Sequence, residues 1–494
     1  MTNRHARPVR VGGFAALAIA VVAGGPIGAQ QGAPGPTSAG LVKMGKAPVS
    51  AEVLKVKLPR PKEADLPNGL HLIVLEDHRL PRVSFQIIIP GAGGYYDPDS
   101  QIGLASYTAQ MMREGTTTRS SQQISQDLET LAANVTVNAS LSAPNASIAG
   151  GALTEDLPRV MDVAADVLLN PSFPAEEWER LKTRSKAGLQ QQRTQPAFLA
   201  AEMFNRVNYG KHPGARLSAT VQSTDAVTRD AMVQFHRARY VPDRAAIAFA
   251  GDITLADARK LVETKLAGWK KAGTTVAEVT DPAPSGPPKI YLINRPNSVQ
   301  TTFSLGGQSM KRTDPDYERL NVANRVLGGT MGRLFRHLRE EKGYTYGIGS
   351  GFSALRHIGL WTGSTSVRTE VTEAALTDFL AEIAMMRDTP VPDDELADAK
   401  NAIVAGFALS LESPPQMLGY YTDNWIYGLP ADYWDTYPAR ISAVTAADVQ
   451  AAARKYWDPS RLQIVAVGDA TKIAEALKKK GQLEMYDAEG NPAK

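Results

Sequence analysis

One segment of this chain occurs twice. Shifted by 217 positions without a gap, residues 226–252 match residues 443–469 at nine places. Ala226-Val227-Thr228 repeats as Ala443-Val444-Thr445, and Arg237, Pro242 and Arg244 repeat as Arg454, Pro459 and Arg461. Ile247 repeats as Ile464, and Gly251-Asp252 as Gly468-Asp469. A repeat of this period is a whole domain, not a solenoid unit. The chain must therefore fold as two homologous halves.

The elements inside each half follow from periodicity. Val83–Ile89 and Val135–Leu141 alternate as strands do, while Ala245–Ala250 and Leu462–Val467 are short apolar runs stopped by Gly-Asp. Leu157–Leu169, Phe198–Val207 and Val371–Met386 carry apolar residues at helical spacing. Strands interleaved with helices predict an α+β class, each half a mainly antiparallel sheet packed with helices. The expected layout is a first half over 53–273, a Pro-rich linker over 274–288, a second half over 289–481, and a polar tail over 482–494.

Ahead of these halves, residues 1–29 read as a secretory signal. Arg4, Arg7 and Arg10 precede an apolar run, and Ile27-Gly28-Ala29 suits cleavage. Residues 30–52 are rich in Gly, Pro, Ala and Ser and read as a disordered leader. Without the signal, 54 basic and 51 acidic residues become 51 and 51. Such neutrality argues against nucleic acid as a partner. No later apolar run is long enough for an integral membrane domain. The chain has no Cys, which excludes disulfides and thiol catalysis and suits a bacterial periplasm. Three glycosylation-like triplets, at Asn134, Asn138 and Asn145, read as chance in a polar strand region.

The chemistry lies in two stretches. Gly103-Leu104-Ala105 leads into Ser106-Tyr107-Thr108-Ala109-Gln110, in the frame where H-x-x-E-H begins after Gly-Leu-Ala. The second stretch runs Leu327-Gly328-Gly329-Thr330-Met331-Gly332-Arg333 and on to Arg339, Gly343 and Tyr346. Together with Leu66-Pro67-Asn68-Gly69-Leu70 and Tyr209-Gly210-Lys211-His212-Pro213, these stretches resemble the pitrilysin, insulinase and mitochondrial processing peptidase group of two-domain zinc peptidases. The resemblance covers nearly all of residues 60–475 and implies a pitrilysin-like half-shell.

The resemblance also implies roles. In active members two His bind zinc, the intervening Glu activates water, and a later Glu completes the shell. Here the first three positions are Ser106, Gln110 and Ala109, a degenerate zinc motif. The later stretch, Leu181–Pro196, has no acid and aligns Ala187 and Gly188 with the missing Glu. Three ligands and the base are absent, so no metal is expected on this chain. None of its seven His forms H-x-x-x-H, and His71 and His78 flank an expected hairpin.

Arg339 and Tyr346 match an Arg/Tyr pair that, in the group, binds substrate carbonyl and stabilises the oxyanion. Tyr344 is a rival for the Tyr role. Two plainer readings are that Arg339 pairs with a neighbouring Glu and that Tyr346 packs in the sheet. The resemblance implies a zinc-less subunit of a periplasmic heterodimeric metallopeptidase. Its partner would be a homologue bearing H-x-x-E-H and zinc, and its substrate a peptide bound as an added edge strand. The alternatives are a stand-alone peptide-binding or holdase module and a structural scaffold subunit.

Overall fold

The computed structural model describes residues 54–273 and 275–493; the signal, the leader and His5 lie outside the described residues. Residues Val53–Lys494 make one compact unit. Its first sheet has six strands: β1 (Lys62–Asp65), β2 (His71–Glu76), β3 (Arg82–Pro90), β4 (Asn134–Ala139), β5 (Asn145–Leu153) and β6 (Ala246–Gly251). β7 (Ile290–Asn294) and β8 (Gln300–Gln308) begin the second half, and β9 (Met310–Lys311) pairs with β11 (Ala354–Leu355) in a small ribbon. β10 (Thr345–Phe352), β12 (Leu360–Arg368), β13 (Gln463–Gly468) and β14 (Leu483–Tyr486) complete the second sheet.

The two sheets share one topology over five strands and differ at the sixth, where β1 is antiparallel to β2 but β14 is parallel to β7. The first runs β1-β2-β6-β3-β5-β4 and the second β14-β7-β13-β8-β12-β10. β2 and β6 are parallel, as are β7 and β13, and the next three pairings are antiparallel in both. The class is therefore α+β with two homologous, mainly antiparallel halves. The repeated residues have local jobs. Thr228 and Thr445 each cap a following helix by accepting a backbone N–H. Pro242 and Pro459 each open a short 3-10 turn, where a missing N–H costs nothing. β6 and β13 then follow, buried along their whole lengths.

Two expectations need correction. The polar tail over 482–494 is not without regular structure: Leu483–Tyr486 pairs with β7, and its polar composition hid an edge strand. His71 and His78 do not flank a hairpin, because β6 inserts between β2 and β3. The linker is extended yet anchored. Buried Gln308 donates to the Ala283 carbonyl at 2.6 Å, and buried Gln463 to that of Gly286 at 2.8 Å.

The halves are locked by an exchange of helices. Pro196–Tyr209, from the first half, lies across the second sheet, and Leu199, Met203 and Phe204 pack with Val465 and Val467. Pro414–Tyr427, from the second half, lies across the first sheet, where Ile73, Leu75, Ala248 and Ala250 join the second half's core. Both helices are 14 residues long, begin with Pro and end at a Gly of positive φ, Gly210 or Gly428. Positive φ is the natural stop signal for glycine. The segment before β1 also crosses over, with Leu58 in the second core and the Pro59 carbonyl accepting from Tyr421.

Near this seam, Tyr95 of the first half meets His357 of the second, with the phenol oxygen 2.6 Å from Nε2. His212 lies 4.8 Å from His357 between ring centres. Burial, with His212 adding a smaller push, holds His357 down at about 4. An ordinary His titrates near 6.5, so the unfolded chain takes up this proton first. Stability from the neutral ring is present above about pH 6.5 and lost as pH falls through about 4.

Two predictions follow from the seam. Phe204→Ala should cost about 3–5 kcal/mol in urea unfolding and still give one transition for both halves, since the cores interlock. Between pH 7 and pH 4, wild type should lose up to about 3 kcal/mol relative to His357→Gln. A parallel pH dependence in the two proteins contradicts the assignment.

Candidate composite active site

The helix Leu104–Met111 keeps its frame firmly. Asp97, buried at its N-terminus, accepts backbone N–H groups of Gly103 and Ala105, both at 2.8 Å. This is a carboxylate at the positive end of a helix. Burial nevertheless raises Asp97 to about 6, against the pull of those bonds. Gly103 sits at φ 108, and a Cβ there would come 2.9 Å from the Tyr107 ring. Tyr107 bonds Thr224 at 2.8 Å and packs on Trp178.

The ligand positions on this helix hold nothing for zinc. Ala109 is buried, and the Gln110 amide donates back to the Ser106 carbonyl at 3.3 Å. Ala187 and Gly188 lie exposed on the helix Ala175–Arg193. A Cβ at Gly188 would meet nothing within 4 Å. Zinc needs imidazole, thiolate or carboxylate donors, and these positions supply only a hydroxyl, a methyl, an amide and glycine. The residues do not fit the metal. Among the described residues no other group of three His, Cys, Asp or Glu is placed to hold one. The described His are otherwise engaged: His71 with Asp65, His78 with Asp252, His236 with the Leu168 carbonyl, and His337 with Glu382.

Arg339 and Tyr346 are brought together. The Arg339 guanidinium carbon stands 5.0 Å over the Tyr346 ring and 4.5 Å over the Phe335 ring. Such stacking holds a guanidinium plane in place while its N–H groups stay free to donate. Arg339 Nε also lies 3.4 Å from Glu340, an exposed contact of little energy. Tyr346 is 90% exposed, so it does not pack in the sheet. The rival Tyr344 packs against the core instead.

Two backbone irregularities produce this arrangement. Phe335–Glu341 is a π-helix, a rare wide turn that is frequent at functional sites. Leu338 anchors its inner face in the core, and His337 is bonded at 2.7 Å to buried Glu382. Arg333 and Arg336 both engage Glu395. Then Gly343 turns the chain at φ 60, and the register of β10 slips between Thr345 and Ile348. Tyr346 sits on that bulge, which re-aims it away from the sheet. The sequence shows the seven-residue spacing but neither irregularity, nor the clamp on His337.

The open face of the first sheet is mainly polar. On β3, Val83, Phe85, Ile87 and Ile89 enter the first core, so Ser84 and Gln86 face the other way. On β4 and β5 the same alternation turns Asn134, Thr136, Asn138, Asn145 and Ser147 to that face. This explains the three glycosylation-like triplets: alternation against a polar wall places Asn two residues before Ser or Thr. Elemental analysis of the purified chain should find no stoichiometric zinc; one tightly held zinc per chain contradicts this reading of Ser106, Ala109 and Gln110.

Comparison with known proteins agrees with this geometry. Residues 72–216 match the family model for insulinase (peptidase family M16), and residues 226–403 match that for the peptidase M16 inactive domain. An uncharacterized zinc protease of Mycobacterium tuberculosis is 25% identical over 405 residues, 80% of this chain and 90% of that protein. One from Streptomyces coelicolor is 25% identical over 409 residues, 80% of this chain and 86% of the relative. The crystal structure of a peptidase M16 inactive domain from Pseudomonas fluorescens superposes with a TM-score of 0.77 at 27% identity. It covers 83% of this chain and 98% of that one. A protease from Helicobacter pylori shares the fold with a TM-score of 0.77 at 14% identity, covering 83% of this chain and 100% of that one. With the ligand positions replaced on an intact frame, the chain belongs to the M16 peptidase family as an inactive-type member.

Proposed function

We propose that this chain is the zinc-less subunit of a heterodimeric M16 metallopeptidase in the bacterial periplasm. The partner is a homologue bearing an intact H-x-x-E-H helix and brings the zinc and the water. This chain brings Arg339 and Tyr346. The Tyr346 hydroxyl donates to the oxygen on which negative charge develops, and Arg339 holds a substrate backbone carbonyl. The observation that carries the reading is the pair itself: a stacked guanidinium and a 90% exposed phenol, presented at a sheet rim by a π-helix and a bulge. Irregular backbone of this kind costs stability and persists where it serves a site.

Peptide substrate suits the molecule. The inner wall of β3, β4 and β5 is mainly polar, with Ile88 and, at its end, Arg82 among neutral Ser, Gln, Asn and Thr, a mixture that tolerates many sequences. β4 and β10 are sheet edges, able to pair with an extended backbone. The same wall favours the second reading, a module that captures peptides without cutting them. A scaffold role would need neither the wall nor the pair.

Reconstitution distinguishes these. The chain mixed with an H-x-x-E-H homologue should hydrolyse a quenched fluorescent peptide, and neither subunit alone should do so. Arg339→Ala and Tyr346→Phe should each lower kcat about 10²–10³-fold, the scale of one lost oxyanion-type donor. Full activity in the double variant refutes the composite site.

A further inference from the structure

The exchanged helices each bound a cleft against the open face of a sheet, and the two clefts are pseudo-symmetric. One, of 440 Å³, lies between Pro196–Tyr209 and the second sheet and is lined by Asn205, Tyr209, Thr362 and Ser364. The other, of 640 Å³, lies between Pro414–Tyr427 and the first sheet. Gln86, Ser147, Gln416, Tyr420 and Asp423 line it. A shift of 218 superposes Pro196 on Pro414, Tyr209 on Tyr427 and Gly210 on Gly428. The same shift superposes Asn205 on Asp423. The clefts therefore differ at matching places by one charge.

That charge has no direct partner. Among the described residues Asp423 has no hydrogen-bond or ion-pair partner. Burial pushes its carboxyl above the usual carboxylate range. Arg312 is the cation whose field reaches it, without a direct ion pair, and buried Arg312 keeps one guanidinium nitrogen unbonded. The guanidinium stands 4.0 Å over Tyr317 and 4.9 Å over Tyr433, and donates to the Tyr433 hydroxyl at 2.9 Å. A partly buried carboxylate without a partner is costly, and an amide of equal size stands at the matching place in the sister cleft. The Asp423 field offsets part of the Arg312 charge, and its oxygens, bonded to neither protein donor nor cation, line an open cleft where a ligand can reach them. Around the carboxylate stand neutral acceptors, the Gln86, Ser147 and Gln416 side chains, and the ring of Tyr420. A carboxylate, several oxygen acceptors and an aromatic face together select a cation with several N–H donors.

We propose that the cleft at Asp423 binds the ammonium or guanidinium group of an extended peptide held in the molecule. The proposal rests on the reading of this chain as one that holds peptides, but not on a partner or on hydrolysis.

The test uses the intact chain alone, in isothermal titration calorimetry with three tetrapeptides. One has a free amino terminus and no basic side chain. One is acetylated and carries a single lysine. One is acetylated and neutral. At least one cationic peptide should bind about tenfold or more tighter than the neutral one, the scale of a charge-assisted hydrogen bond. The first two arms tell a terminal amine from a side chain. Asp423→Asn should abolish the preference while the chain still unfolds in one cooperative thermal transition, which shows that the fold is kept. Equal affinity for all three peptides, no binding of any, or a preference that survives in Asp423→Asn overturns the proposal. Failure of the peptidase reading would show separately, in the reconstitution assay.

Discussion

The structure depends on one exchange: each half lends a helix to the other's sheet. A sheet covered on one face only leaves apolar strands exposed on the other. Here β2 and β6 are apolar on both faces, and so are β7 and β13. Their second faces are closed by Pro414–Tyr427 and Pro196–Tyr209 respectively. The remaining strands, β3, β4 and β5 in the first sheet, carry mainly Ser, Gln, Asn and Thr on that face, with Ile88 at the cleft. The boundary between apolar and polar strands thus sets where the halves stick together and where a chamber stays open.

The two halves carry different residues on matching elements. At the helix after β3, Asp97, Gly103 and Tyr107 hold the frame, while Ser106 and Gln110 stand at the zinc-ligand positions and Ala109 at that of the base. In the second half the π-helix and bulge present Arg339 and Tyr346. The clefts beneath the exchanged helices differ too, with Asn205 in one and Asp423 in the other. Stability and chemistry are separable here, because the residues that build the frame are not those that would touch a substrate.

Much of the fold was legible in the sequence, for reasons visible in particular elements. The matched Ala-Val-Thr and Gly-Asp segments are a helix cap and the end of a buried strand, both local features. Leu157–Leu169 showed its bounds because its apolar periodicity is complete. β14 was not legible: Leu483-Glu484-Met485-Tyr486 is short and half-buried, and only β7 makes it a strand. The insertion of β6 between β2 and β3 is a long-range pairing that no local pattern encodes. At the site, spacing identified Arg339 and Tyr346, while their juxtaposition depends on a π-turn and a register slip set by packing against Glu382 and the core. Asp423 carries no motif at all; only its place in a cleft, and its neutral counterpart, single it out.

The central claim is that Tyr346 completes an active site on another chain. A photoreactive benzophenone amino acid in place of Tyr346, followed by mass spectrometry of the irradiated complex, tests this most directly. The account predicts a cross-link to the H-x-x-E-H helix of the zinc-bearing partner or to the strand beside it. A complex that forms but cross-links only elsewhere on the partner, or not at all, contradicts it.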